Sequence, residues 1–182
     1  MIIESFGKLL ILLGAGIWLG GFIMLGFGVA PVNFGVAEQW QLEGENPRMA
    51  DQVVNYRTIG GELTGNSIAR LNIIETFCFF MIVIGIVIAW NKETGNYRNR
   101  VIRTVLVLFI GALFYYYGVS VGGRLMELRN TIPINFSIED TALKSAEHLE
   151  FDRLHKTYTR VASLAMIAIF ALFTATVFDK DK

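Results

Sequence analysis

The two histidines of the sequence, His148 and His155, stand seven residues apart in a segment rich in acidic residues. On a helix this spacing is two turns, so both imidazoles lie on one face, and Asp152 stands between them. Imidazole and carboxylate groups together are ligands of zinc, iron or manganese. The segment is a candidate metal site, although about 10 Å of helix separates the imidazoles and one ion would need ligands from other helices. The alternative is a solvated charged face.

Glu75 is an acidic residue within an otherwise apolar segment, and Glu62 stands on the approach to it. An ionisable group at membrane depth is costly and is functional by default. Two interpretations stay open: a carboxylate that faces a helix bundle and handles protons or cations, or an interfacial carboxylate paired with Arg70 or another cation. Cys78 is the single cysteine, which excludes an internal disulfide. It could serve copper as a soft ligand or act as a small apolar filler.

Three consecutive tyrosines, 115–117, point around all sides of a helix, so at least one hydroxyl group must find a partner inside the protein. Tyr116 is the candidate. Arg124 follows and forms an i,i+3 pair with Glu127. For both features the alternative is anchoring at a membrane interface.

Four long apolar segments must position these residues. A bilayer core of about 30 Å requires roughly 20 apolar residues in a helix, and a helix satisfies its own backbone in lipid. The fold class predicted is all-α: an integral membrane four-helix bundle in which residues 1–182 form a single domain. The spans are expected at about residues 9–30, 71–90, 104–123 and 161–178.

The two long connections are predicted to carry amphipathic helical extensions. Apolar residues recur at helical spacing over 49–70 and again from about 140 to 160, so each extension leads into the following span. Pro31 is expected to end the first span at the interface, since proline removes a helix hydrogen bond. The GxxxG pairs Gly16–Gly20 and Gly118–Gly122 predict seams of close helix packing within the bundle, with a dimer face as the alternative.

Charge patterning indicates the environment. The 16 basic and 16 acidic residues give a net charge of zero, which leaves no electrostatic basis for nucleic-acid binding. The density of Lys and Arg places both termini and the loop 91–103 in the cytoplasm, with the inner (plasma) membrane of a bacterium as the expected location. The first segment is too long for the apolar region of a signal peptide. Haem is not supported, since neither histidine lies within a span.

Four motifs in this order resemble the transmembrane-protein-205-like family, also described as domain of unknown function 4149. They are residues 16–34, 59–65, 123–129 and 151–155. The resemblance implies a small integral membrane protein without an agreed activity, distantly similar to copper-resistance D-type membrane proteins and to the four-span protoporphyrinogen-oxidase type. Those relatives use histidines near span ends for copper or haem-linked chemistry. This chain has no histidine in its first span, and Tyr158 stands where the family often has Ser.

Three functional hypotheses follow. The favoured one is a non-enzymatic membrane protein that binds or moves a small solute or metal ion through a polar outer site. That site would be built from Glu62, Arg124, Asp152 and His155. The second is a haem- or copper-linked redox protein. The third is an accessory subunit of a larger membrane complex, or a homo-oligomer, in which the glycine seams face partners.

Overall fold

The computed structural model describes residues 2–43, 56–92, 97–131 and 145–178, and these are helical apart from two helix-capping residues. Four long helices result, two of which contain a π-helical segment (π1 and π2). The elements are α1 (Ile2–Ile23), π1 (Met24–Val29), α2 (Ala30–Glu43), α3 (Tyr56–Lys92), α4 (Tyr97–Phe114), π2 (Tyr115–Val121), α5 (Gly122–Thr131) and α6 (Ala146–Val177). The predicted all-α fold is confirmed.

Each long helix is long and apolar enough to cross a membrane. The qualifying helices are Ser5–Trp40, Ile59–Trp90, Tyr97–Asn130 and Ala146–Val177. Large hydrophobic side chains cover their outer faces, and Phe27, Phe77, Leu108 and Phe170 are among the exposed ones. An exposed apolar surface of this extent requires lipid contact. The chain is therefore an integral membrane protein.

The first long helix does not end at Pro31, which corrects the expected boundary. It continues through the proline to Glu43. The π segment directly before Pro31 accounts for this, because its wider turns already depart from the i→i−4 pattern that proline interrupts. The Ala30 N–H, for example, donates to the carbonyl oxygen of Leu25, five residues earlier.

The predicted helical extensions are confirmed where the structure describes them. α3 runs without a break from Tyr56 through the second span, and α6 runs from Ala146 through the fourth. Residues 49–55 of the first predicted extension and 140–144 of the second lie outside the described residues. Ser145 caps α6, since its side chain accepts a hydrogen bond from the backbone N–H of His148.

A glycine stripe joins α1 to α3, but at other positions than predicted. A Cβ atom on Gly7 or Gly14 would lie 2.9 Å from α3 backbone atoms, and one on Gly85 would lie 2.7 Å from the carbonyl oxygen of Gly7. The stripe repeats every seven residues, a spacing that keeps one face of a helix toward its partner. The predicted seam is wrong at Gly20, where a Cβ atom would have no described atom of another helix within 4 Å, and at Gly118, where the atom nearest to a Cβ would belong to Phe114 of the same helix.

The contacts of this stripe make α1 and α3 antiparallel. We call the end of the bundle near residues 7, 89 and 178 the terminal end, and the end near residues 43, 56, 131 and 145 the connection end. The helix pairs α1–α3, α2–α3, α4–α6 and α1–α6 supply the main contacts. The core between them contains Ile11, Ala15, Trp18, Cys78, Ile82, Val107, Ile110, Phe114, Tyr117, Ala165, Ile169 and Leu172.

Candidate functional site

A polar cluster interrupts this apolar core, and all four long helices contribute to it. The Tyr117 hydroxyl group donates a hydrogen bond of 2.9 Å to Oε2 of Glu75, and neither residue is exposed. One helical turn before Glu75, the Asn72 side-chain oxygen accepts a hydrogen bond of 3.2 Å from the hydroxyl group of Tyr158. With Trp18 from α1, these residues form what we call the core polar cluster.

The position of Glu75 distinguishes the two interpretations of its carboxyl group. The side chain faces the interior of the bundle and contacts Tyr117 rather than the exposed Arg70. Two buried polar atoms of the cluster have no hydrogen-bond partner among the described residues: Oε1 of Glu75 and Nε1 of Trp18. The indole nevertheless lies close enough to interact with the carboxyl group. The cluster thus contains a buried donor and a buried acceptor that are not hydrogen-bonded to each other.

Aromatic contacts fix the ring of Tyr117 in the cluster. It meets Phe114 and Tyr158 edge to face, with ring centroids 5.7 Å and 5.3 Å away. Phe22 approaches from the first long helix at 6.4 Å. Trp18 packs edge to face on Phe114 at 5.3 Å. Edge-to-face pairs are favourable and directional, so they position the hydroxyl group toward Glu75.

A partly open cavity of about 1440 Å³ lies beside the cluster toward the connection end. All four long helices line it, and its walls are mostly apolar. Both π segments contribute, with Phe27 from π1 and Val119 from π2. π-helical segments occur frequently at functional sites, where their wider turns alter the wall that a helix presents.

The cavity and the core polar cluster share two residues. Asn72 and Tyr158, which are hydrogen-bonded to each other, both line the cavity. Phe22 also lines it and contacts the Tyr117 ring. Tyr117 therefore contacts both residues of the cavity wall and the Glu75 carboxyl group.

The predicted outer site is only partly brought together. Asp152 and His155 line the cavity near the connection end, where His155 stacks on Phe151 with ring centroids 6.1 Å apart. His148 is buried, and its Nδ1 atom lies 2.9 Å from Oγ of Ser145. Among the described residues, no group of three or more His, Cys, Asp or Glu residues could hold a metal ion. The metal site stays a prediction.

Glu62 and Arg124 lie elsewhere. Arg124 forms an ion pair with Glu127 and a two-pronged one with Glu150, through Nε at 3.0 Å and Nη2 at 3.1 Å. These groups are exposed or half-buried on the surface, where they join α5 to α6. Glu62 has an exposed side chain, and its backbone carbonyl accepts a hydrogen bond from Arg129.

Sequence reasoning missed several members of the cluster. Tyr116 was the chosen tyrosine, but it is exposed, whereas Tyr117 is buried. The sequence positions of Trp18 and Asn72 could have indicated that both belong to the cluster. Tryptophan in membrane helices is usually found at the interfaces, so one in the middle of a span is unusual. Asn72 precedes Glu75 by three residues, which places two polar side chains on one helical face.

The arrangement defines a four-span integral membrane protein with a buried polar cluster beside a mostly apolar cavity. A scan against protein-family models gives no match, and comparisons with curated proteins and with solved structures give none either. Membership of the transmembrane-protein-205-like family stays a prediction.

Proposed function

We propose that the protein binds a small amphipathic molecule whose apolar part occupies the cavity and whose polar group lies at the connection end. The observation that carries this proposal is the cavity itself, which all four long helices line with mostly apolar side chains. Ligand sites in proteins are typically concave and apolar, with a few polar groups that orient the ligand. Here Asn72 and Tyr158 supply polar groups in the wall.

The charged residues around the cavity favour an uncharged, hydrogen-bonding headgroup. Glu38 and Asp152 contribute acidic groups, and Arg129 contributes a basic one. Arg129 also donates a hydrogen bond of 2.9 Å to the carbonyl oxygen of Glu62. Because both signs are present, a strongly charged headgroup of either sign would meet repulsion as well as attraction. A glycerol-like headgroup with a single apolar chain fits this chemistry.

Binding can be tested with monoolein, which has a glycerol headgroup and one acyl chain. Native mass spectrometry in an amine-oxide detergent, whose headgroup carries formal charges, would count the monoolein molecules that stay bound to the purified protein. Gly26→Trp should abolish binding, because Gly26 lines the cavity and a Cβ atom there would point into open space. Gly28→Trp is the matched control: it lies in the same π segment and is equally open, but it does not line the cavity.

Two results would contradict the proposal. One is the absence of any specific monoolein adduct on the wild-type protein. The other is equal loss of binding in the Gly26 and Gly28 variants, which would indicate general disturbance of π1 rather than occupation of the cavity.

We also propose that the protein resides in the bacterial inner membrane with its terminal end in the cytoplasm. Positive charge supports this, since Arg98, Arg100 and Arg103 all belong to the first turns of α4 at that end. The Arg100 guanidinium lies 5.7 Å from the Trp90 ring centroid and 5.8 Å from that of Tyr97, an arrangement typical of a membrane interface.

Cysteine labelling tests this orientation. In a Cys78→Ser background, Ser5→Cys and Ser145→Cys introduce thiols at exposed positions of opposite ends. A membrane-impermeant maleimide added to intact cells should label the Ser145 variant and not the Ser5 variant. The reverse pattern would overturn the proposed orientation without affecting the binding proposal.

A further inference from the structure

Two complementary buried atoms lie next to each other in the core polar cluster without forming a hydrogen bond. Trp18 and Glu75 are both fully buried. The indole Nε1–H of Trp18 can only donate, and in the described part of the chain it has no hydrogen-bond partner. Oε1 of Glu75 also has none, although the indole lies close to that carboxyl group. Buried polar atoms are nearly always paired, so two adjacent exceptions call for a physical explanation.

The groups that face Glu75 carry no positive charge. Trp18 faces it from α1, Tyr117 from π2 and Tyr158 from α6, and Cys78 lies one turn later on α3. Among the described residues, none of the groups that act on this carboxyl group is a cation. A bare carboxylate in such surroundings would be very costly, and taking up a proton removes that cost.

We propose that Glu75, Tyr117 and Trp18 form a proton-binding site in the core of the bundle. In the protonated state the neutral carboxyl group accepts the Tyr117 hydrogen bond and leaves the indole without a partner. When the proton passes to solvent, the carboxylate takes a second hydrogen bond from the Trp18 N–H group. The hydrogen bond between Trp18 and Glu75 is thus absent when the site is protonated and present when it is ionised.

The same contacts link this site to the cavity. Tyr117 touches the cavity-lining rings of Phe22 and Tyr158. Trp18 belongs to the same continuous helix as π1, six residues before its start. A movement of Trp18 toward Glu75 would therefore also shift residues of the cavity wall. The proton site itself does not depend on what the cavity binds, so the proposed function and the proton site can be tested independently of each other.

Trp18 supplies a direct readout. The chain has three tryptophans, and Trp40→Phe with Trp90→Phe leaves Trp18 as the single indole. Indole emission responds to a hydrogen bond at Nε1, so we expect the fluorescence of this variant in detergent to show one transition as the pH is raised. Glu75→Gln should abolish the transition, because the amide has nearly the same shape and does not ionise. Glu62→Gln, an exposed position on the same helix, should leave it unchanged.

Infrared spectroscopy gives a second measurement that does not depend on a variant folding. Near neutral pH exposed carboxyl groups are ionised, so a carbonyl band from a protonated carboxylic acid in the wild-type protein would report a buried acid. The band should disappear on the alkaline side of the fluorescence transition. A transition that persists in Glu75→Gln with its midpoint unchanged would overturn the proposal. So would the absence of a protonated carboxyl band from the wild-type protein near neutral pH.

Discussion

The Tyr117 hydroxyl group lies 2.9 Å from Oε2 of Glu75, although 42 positions of sequence separate the two residues. The bond crosses the interior from π2 to α3, and both residues are fully buried. It connects Glu75, the one buried acidic residue among those that the structure describes, to aromatic residues of the cavity wall. The proton site that we propose depends on this contact.

Loss of the Tyr117 hydroxyl group should destabilise the protein. Tyr117→Phe keeps the ring contacts but leaves a buried carboxyl group without its donor, which costs about 1–3 kcal/mol in the free energy of unfolding. Titration of mixed micelles with a denaturing detergent measures this quantity. Tyr115→Phe is the matched control, since Tyr115 is exposed in the same π segment. Equal stability of the two variants would argue against the bond.

The glycine stripe between α1 and α3 should tolerate no added methyl group at its tightest point. A Cβ atom on Gly85 would lie 2.7 Å from the carbonyl oxygen of Gly7 and 2.8 Å from Cγ1 of Ile11. Because the first of these atoms is backbone, the helices must separate, and we expect Gly85→Ala to cost about 1–3 kcal/mol in the free energy of unfolding.

Gly20→Ala serves as the control for that substitution. No heavy atom lies within 4 Å of a Cβ atom at Gly20, so the change should be neutral or stabilising by up to about 1 kcal/mol, as expected from helix propensity. Thermal unfolding in detergent ranks the two variants. If Gly20→Ala proves the more harmful, the arrangement of α1 against α3 is incorrect.

The start of α6 should depend on Ser145. Its hydroxyl oxygen accepts a hydrogen bond from the His148 backbone N–H at 3.4 Å and also contacts the imidazole Nδ1 atom. Removal of such an N-cap typically costs about 1 kcal/mol. Ser145→Ala should therefore increase hydrogen exchange in the first turn of α6. Ser163→Ala, which removes a side-chain bond to the Thr159 carbonyl within the same helix, should not.

The surface ion pairs of Arg124 should matter much less than the buried bond of Glu75. Arg124 binds Glu150 and Glu127 at positions that solvent reaches, so salt screens these interactions. We expect Arg124→Ala and Glu150→Gln to lower the melting temperature only slightly at low salt and not measurably at high salt. A large loss that persists in high salt would show that this pair contributes more than a typical surface contact.

The membrane helices could be predicted from the sequence, but their ends could not. Hydropathy over about 20 residues identifies a span, because a helix needs an apolar surface wherever it contacts lipid. The first long helix exceeds its expected end at Pro31 because π1 changes the hydrogen-bond pattern just before the proline. A local pattern of residue types does not reveal that change.

The candidate site, too, could be predicted from the sequence only in part. The sequence alone identified Glu75 as the unusual acidic group in a span, and a buried partner among the three tyrosines was expected. Which tyrosine it is depends on the phase of a helix that is π-helical from Tyr115 to Val121, where the usual period of 3.6 residues no longer applies. Tyr117 therefore faces the core, and Tyr116 does not.

Composition along one helix is enough to require lipid, so residue types alone establish an all-α membrane protein with four spans and very few ionisable groups within them. Residue types do not reveal that five side chains meet beside a cavity in the folded bundle, namely those of Trp18, Asn72, Glu75, Tyr117 and Tyr158. The physical reason is that such a meeting depends on the rotation and register of four helices. Close contacts such as those of Gly7 and Gly85 fix that geometry across long separations in the chain.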